Sequence, residues 1–314
     1  MKNPYIGRMD DMLIDVIGHA GLKKSIEIAI NAARFRQETL GHLLLSGPGG
    51  LGKTFLLNKI CQELGYCMKI TQGNHLPAKQ VADFLIQCCS ESDKPAFIFI
   101  DEIHELSLDA QEELYYAMEE GCILRDGQKV PLGPFTLAGA TTQMERLDGK
   151  SLVKRFQYYW QLEPMRECDL VYLVNKFYLD NKISCSFDVL NSISQRSRGI
   201  PREAKNIASR ARDYANYEHR HNVTLKDVDR TFIELGLDAM GLDRDQQKYL
   251  KILYENDKPV GIDTLSMMIL DESNPSKVKN IIEPYLRKLG LVASSSKGRE
   301  LTEAGHKHIM QNWE

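Results

Sequence analysis

The sequence predicts an α/β chain: a parallel sheet with helices on both faces, then a small helical domain, then a helical module ending in a two-stranded wing. Three observations carry this expectation. Short apolar runs, HLLLS (42–46), AFIFI (96–100) and FTLAGATT (135–142), alternate with helical patterns. Apolar runs without polar alternation suit strands covered on both faces, which is the condition of a parallel sheet. Strand signals then stop near Pro164, and the last part holds three short helices followed by LVASSSKGRELT, two strand-like pieces around a Ser/Gly turn. The expected domains are 1–163, 164–238 and 239–314, with Leu237–Asp243 as a linker.

Each element has its own signal. DVIGH is a short extended entry, and LKKSIEIAINAARFRQ after it has helical periodicity. HLLLS runs into a glycine-rich turn, and TFLLNKICQEL continues as a helix. AFIFI ends at Asp101 and precedes the helical stretch LDAQEELYYAMEEG. The turn RDGQ, between CIL and KVPL, predicts a short hairpin. FTLAGATT reads as a third buried strand, expected beside the one that carries Asp101. The second domain reads as helices through DLVYLVNKFYLDN, REAKNIASRARDYANYEHR and LKDVDRTFIELG, and the third through RDQQKYLKILYEN, IDTLSMMIL and PSKVKNIIEPYLRKLG.

Composition narrows the function classes. With 314 residues, 43% hydrophobic and 26% charged, the chain is long enough for two or three cores. A formal net charge of −3 means that any nucleic-acid-binding surface must be local. The seven cysteines are scattered without a C-x-x-C pair, so neither a disulfide framework nor a zinc site is expected. MKNPYIGRMDDM has no apolar signal core and no stretch approaches the ~20 apolar residues of a membrane span, so a cytoplasmic location is expected.

The chemistry begins at GPGGLGKT (47–54), which fits G-x-x-x-x-G-K-[ST] between an apolar strand and a helix. Gly47, Gly49, Gly50 and Gly52 let backbone N–H groups, with that of Leu51 among them, converge on phosphate at the positive end of a helix. Lys53 is expected on the β/γ-phosphates of ATP and the Thr54 hydroxyl on Mg²⁺. In FIFIDEIH, Asp101 is the second candidate for the Mg²⁺ shell, and Glu102 is placed to deprotonate the attacking water. Thr142, at the end of its strand, is the candidate γ-phosphate sensor, with Thr141 beside it. Arg155 in LVKRF is the candidate arginine finger acting across a subunit boundary, and Arg202 in RGIPRE a second arginine for the γ-phosphate.

In this order the motifs resemble an AAA+ ATPase, and specifically the RuvB family of branch-migration motors. The pieces that carry the resemblance are DVIGH, GPGGLGKT, FIDEIHEL, PFTLAGATT, RSRGIPREA, GLDRDQQKYLKIL, PVGIDTL, EPYLRKLG and KGRELTEAGHKH. It implies an AAA+ ATPase domain, a helical lid and a C-terminal winged helix in a hexameric ring on duplex DNA, active in recombination and repair at Holliday junctions. By position it implies Walker B roles for Asp101 and Glu102, sensor 1 for Thr142, the finger for Arg155 and sensor 2 for Arg202 with Pro201 before it. It further implies adenine contacts from Val16 and Ile17, and DNA-backbone contacts from Lys297 and Arg299 in the wing.

Local charge agrees with a DNA contact there. From Ser273 to Arg299 the chain carries six basic residues (Lys277, Lys279, Arg287, Lys288, Lys297, Arg299) against Glu283 alone. The departures lie at interfaces. GCILRDGQKVPLGP replaces the long hairpin whose apolar tip docks the family's partner RuvA, Gln143 and Glu105 stand where the family has arginines, and LVKRF keeps one of two arginines. A RuvA-like partner is therefore a weaker expectation than the ring itself. The leading expectation is a DNA motor, and the alternative is a non-motor ATP switch or loader that assembles on DNA and recruits another protein.

Overall fold

The computed structural model describes residues 13–125, 127–147, 151–256, 258–270 and 273–312. The N-terminal stretch 1–12 and Asp126 of the expected RDGQ turn lie outside the described residues. The chain divides into two compact units, one running to Leu173 and including Gly199–Arg202, the other made of Val174–Arg198 and the chain from Glu203 onward.

The first unit opens with α1 (Ala20–Arg36), then β1 (Leu43–Ser46), α2 (Lys53–Leu64), β2 (Cys67–Gln72), α3 (Ala78–Ser90), β3 (Ala96–Asp101) and α4 (Leu108–Glu120). A hairpin of β4 (Cys122–Arg125) and β5 (Gln128–Pro131) follows, then β6 (Phe135–Thr141) and β7 (Tyr158–Gln161). Five strands form one parallel sheet in the order β2-β3-β6-β1-β7. The three strands expected from their apolar runs are its centre, and β3 does pair with β6. The two edge strands, CMKITQ and YYWQ, gave no clear signal in the sequence. No residue of either is fully buried, and Ile70, Gln72, Tyr159 and Gln161 are exposed, so neither needs an unbroken apolar run.

Side-chain alternation sorts the central strands into two cores. Leu43, Leu45, Phe97, Phe99, Ala138 and Ala140 pack with α1 and α2 on one face. Leu44, Ile98, Ile100 and Leu137 pack with α3 and α4 on the other. Gly139 lies on this second face, where an added Cβ would come 3.0 Å from both Leu44 Cδ1 and Ile103 Cδ1. The hairpin is present and short, its arms tied back by Arg125 to Asp83 and Lys129 to Glu120.

α5 (Glu167–Asp180) leads into the second unit, which continues with β8 (Ser184–Cys185), α6 (Phe187–Arg196), α7 (Pro201–Tyr217), β9 (Asn222–Val223) and α8 (Leu225–Leu235). The tiny β8–β9 pair is an addition to the all-helical expectation. Then come α9 (Arg244–Tyr254), α10 (Ile262–Leu270), α11 (Pro275–Lys277), a π-helical turn (Val278–Ile282) and α12 (Glu283–Lys288). The wing is β10 (Val292–Ser295) paired antiparallel with β11 (Gly298–Leu301), and α13 (Glu303–Asn312) closes the described chain.

The expected linker 237–243 is a tightly bonded corner rather than a tether. Asp238 Oδ1 accepts N–H bonds from Met240 and Leu242, its Oδ2 lies 2.9 Å from His308 Nε2, and Asp243 caps α9. Arg198 donates to Asp243 and Gln246 and stacks over Tyr285. Such bonding replaces solvent for groups that a flexible linker would leave hydrated.

The two wing residues have different fates. Lys297 is exposed at the turn. Arg299 instead donates its Nε–H to Glu283, a carboxylate with 1% side-chain exposure, at 3.1 Å, while its backbone bridges to Val260. The Arg299 charge thus neutralises a buried acid in its own unit. Replacing Arg299 with Ala strands that acid, so urea denaturation should show a loss of about 3 kcal/mol, while Lys297→Ala should stay within about 0.5 kcal/mol.

Candidate functional site

The site forms where β1, β3 and β6 end together, at the C-terminal edge of the sheet, the usual position for ligands of open parallel sheets. Gly47 follows β1 in a left-handed conformation (φ 139°) and donates its N–H to Thr141 at the end of β6. A Cβ at Gly47 would lie 2.5 Å from the Leu162 carbonyl oxygen, and Leu162 is itself bonded back to Ser46. Gly50 and Gly52 also have positive φ, at 80° and 92°. Gly49 has open space where its Cβ would be. Leu51 sends its side chain into the core that also holds Val16.

Gly52 caps α2, with no side chain bonded to the first-turn N–H groups and no acid in that turn. An uncapped twelve-residue helix leaves its donors and its positive end for an outside anion. Lys53 opens that helix and is buried, its Nζ donating to the carbonyls of Gly47 at 2.7 Å and Pro48 at 3.1 Å. Burial pulls its pKa below the ordinary lysine value, against the opposing pull of Glu102 and Asp101, with Arg202 adding to the fall. Thr54 is exposed beside it.

Asp101 ends β3 and accepts the N–H of Glu102 at 3.0 Å. Burial raises its pKa, and the charges of Lys53 and Arg202 oppose that rise. Glu102 takes a left-handed conformation (φ 46°), uncommon for a residue with a Cβ and a mark of a functional turn. Its Oε2 accepts both the backbone N–H of Thr142 at 3.0 Å and the Thr142 hydroxyl at 2.9 Å. The expected base and the expected sensor are thus in direct contact. His104, buried with 1% side-chain exposure, places Nδ1 3.2 Å from the same oxygen and 2.9 Å from Thr141 Oγ1. Nothing in the sequence singled out His104, since a lone histidine after an acidic pair is usually a packing residue.

Pro201 opens α7, where a missing N–H is harmless, and Arg202 follows it. The Arg202 N–H donates to Gly50 at 3.3 Å, and Ile200 and Arg202 crowd the space where a Gly50 Cβ would lie. Sequence positions 150 residues apart thereby meet at one loop. Arg155 is placed elsewhere. Its guanidinium lies on α4, over the Tyr115 ring at 4.5 Å, donating to the Tyr115 hydroxyl and 2.7 Å from Glu119. Val16 is buried and Ile17 half-buried, and the Val16 carbonyl accepts from Lys23.

Away from this site, Lys279, Pro284, Arg287 and Lys288 line an open depression on the second unit. Among the described residues no cluster of three or more metal-binding side chains occurs, and no helix is long and apolar enough to cross a membrane. The seven cysteines are free, and burial raises the thiols of Cys61, Cys88 and Cys89 to about 11.

Comparison with known proteins agrees with this geometry. Residues 9–162 match the model of the Holliday junction DNA helicase RuvB P-loop domain, 178–238 the RuvB AAA lid domain and 239–310 the RuvB C-terminal winged helix domain. The Holliday junction branch migration complex subunit RuvB of Ehrlichia chaffeensis is 35% identical over 310 residues, covering 96% of this chain and 92% of the relative. That of Ligilactobacillus salivarius is 35% identical, covering 93% and 88%. The solved Thermotoga maritima RuvB Holliday junction branch migration motor superposes with a TM-score of 0.80 at 32% identity, covering 94% of this chain and 95% of that one.

The crowding at Gly47 makes a prediction. Gly47→Ala drives a Cβ into the Leu162 carbonyl at a φ that alanine resists, so it should lower stability by about 2 kcal/mol and weaken ATP binding at least tenfold. Gly49→Ala, in open space, should leave the thermal melt close to that of the parent chain. Thermal melting and a fluorescent-nucleotide titration read both effects.

Proposed function

The chain belongs to the RuvB family, and from that premise we propose that it is an ATP-driven motor that moves branched or duplex DNA, with Holliday junctions as its substrate. The observation that carries the reading is the meeting of Lys53, Asp101, Glu102, Thr142 and Arg202 around one phosphate-binding loop. A protein that only sensed nucleotide would have little use for a carboxylate held in that position.

In this reading the loop from Gly47 to Thr54 cradles the phosphates, Lys53 exchanging the Gly47 and Pro48 carbonyls for phosphate oxygens. Val16 and Ile17 border the adenine, and Pro201 and Arg202 close the phosphate side. Thr54 and Asp101 suit Mg²⁺, which usually keeps several waters and needs only one or two protein oxygens beside the phosphates; bound there, it would neutralise charge on them. Glu102 takes a proton from the water that attacks the γ-phosphorus, and Thr142 orients both. Arg155 acts on the ATP of the neighbouring subunit in a ring, stabilising charge as the bond to ADP breaks. Its hold on Tyr115 and Glu119 keeps it on the outside of its own α4. Lys297, with Lys279 and Lys288, contacts DNA phosphates without reading sequence. The division into ATPase domain 1–163, lid 164–238 and winged helix 239–314, the hexameric ring and a cytoplasmic location are part of the same proposal.

One observation favours the alternative of a loader or switch. The β4–β5 hairpin is short, its turn sequence RDGQ is polar, and its arms carry ion pairs to their own unit, whereas a RuvA-like partner would need an apolar tip. Migration of a synthetic four-way junction, with ATP, with a non-hydrolysable analogue, and with or without a RuvA-like protein, decides between them. A motor separates the junction arms only with ATP; a loader binds the junction in both nucleotide states and never moves it.

Three substitutions probe the chemistry. Glu102→Gln should keep ATP binding and reduce turnover by at least about a hundredfold, the scale of a lost general base. Arg155→Ala and Lys53→Ala should each be inactive alone, and mixing them should restore part of the turnover, since each supplies what the other lacks at a shared site. A flat response across all mixing ratios would remove Arg155 from its assigned role.

A further inference from the structure

His104 follows the acidic pair by two residues and is more deeply buried than either acid. Burial lowers the pKa of its ring below the ordinary value, outweighing the opposing pull of Glu102. Nδ1 stands between two oxygens, Thr141 Oγ1 at 2.9 Å and Glu102 Oε2 at 3.2 Å. A carboxylate oxygen has no proton to donate, so the second contact is attractive only if Nδ1 carries the hydrogen. Thr141 Oγ1 also accepts the N–H of Gln143 at 3.0 Å and keeps a second lone pair for an Nδ1–H. The network therefore assigns the Nδ1–H tautomer. Nε2 is then a bare acceptor, and it is buried with no hydrogen-bond partner among the described residues. A buried ring nitrogen left unsatisfied is a cost that packing alone does not explain, because Leu or Met would fill the same space without it.

The gain is at Glu102. Among the described residues, both hydrogen bonds to its carboxylate come from Thr142 and fall on Oε2, and His104 Nδ1 lies 3.2 Å from that same oxygen. We propose that His104 is a positioning residue for ATP hydrolysis: its Nδ1–H, oriented by Thr141, anchors Oε2 of Glu102 and leaves Oε1 as the oxygen that takes the proton of the attacking water. The two Thr142 donors and the His104 ring edge on the same oxygen oppose rotation of the carboxylate about its last torsion, and a general base works only when its lone pair faces the water. This inference rests on the reading of Glu102 as the base.

The test uses three variants of the full chain, His104→Asn, His104→Gln and His104→Leu, with Glu102→Gln as the control. The Asn amide N–H reaches the place of Nδ1, the Gln amide reaches the place of Nε2, and Leu offers only volume. Turnover number, KM for ATP and melting temperature are measured for each. The expected result is that Asn keeps kcat within about threefold, while Gln and Leu lose about tenfold or more with KM unchanged, the scale at which an orienting partner acts on a catalytic group. If kcat instead follows melting temperature, with Leu equal to or better than Asn, His104 is a packing residue and the proposal falls. It falls equally if KM changes and kcat does not. Thr141→Val, close to isosteric, is the check that survives poor folding of the His104 variants: kcat should drop with KM and melting temperature held, and parental turnover there overturns the relay. Full turnover in Glu102→Gln would sink the assignment of the base itself, a separate failure.

Discussion

The parallel pairing of β6 between β1 and β3 is the constraint on which the site depends. Parallel strands in register end on the same edge, so Ser46, Asp101 and Thr141 finish together although the chain visits them almost a hundred residues apart. The Gly47 N–H bonded to the Thr141 carbonyl extends the ladder one step beyond β1, and that step aims the glycine loop across the end of β6. The apolar alternation of these strands, with leucines, isoleucines and phenylalanines on both faces, fixes the register: a slip of one residue would turn each core outward. Placement of the candidate site is thus inherited from hydrophobic burial.

Within that frame, the polar groups are distributed by desolvation. Lys53 and Asp101 are both partly withdrawn from water, one pulled toward its neutral form and the other also pushed toward its neutral form, and each opposes the other's shift. A phosphate with its counter-ion would meet groups already stripped of much of their hydration, which strengthens each contact. The left-handed backbone at Glu102 serves the same end, because the turn sends successive residues of DEIH to different tasks: Asp101 to the loop, Glu102 to Thr142, Ile103 into the core beside Gly139, His104 back to Thr141 and Glu102. Space for this turn exists because residue 139 has no side chain.

The second unit illustrates a charge used for stability where the sequence suggested recognition. The run of basic residues from Lys277 to Arg299 is real, but Glu283 is buried inside it and draws Arg299 inward, with Arg287 3.7 Å away on the same acid. Arg287 is exposed yet shares that acid, and Lys279, Lys288 and Lys297 are the exposed members placed to meet an outside anion. Counting charges along the chain could not separate the two groups, since burial of a single carboxylate is a property of packing between α12 and the wing. The corner at Asp238 is similar: a Gly- and Asp-containing stretch reads as a linker, yet its partner, His308, lies 70 residues away.

Local chemistry was legible in the sequence itself. The central strands, the glycine loop, the acids at a strand end, the threonines on the neighbouring strand and the arginine after the Gly-Ile-Pro turn follow from residue types at fixed spacings, because the interactions that specify them are within a few residues of the chain. The edge strands β2 and β7 escaped, since half-exposed strands carry no unbroken apolar run. Tertiary structure alone decided which groups share a hydrogen bond. The seat of Arg155 on α4, the inward turn of Arg299, the bond of Thr142 to Glu102 and that of His104 to Thr141 each join positions 16 to 40 residues apart. Such pairings arise only after the sheet has closed, when desolvated groups must find partners among whatever the packing has brought near.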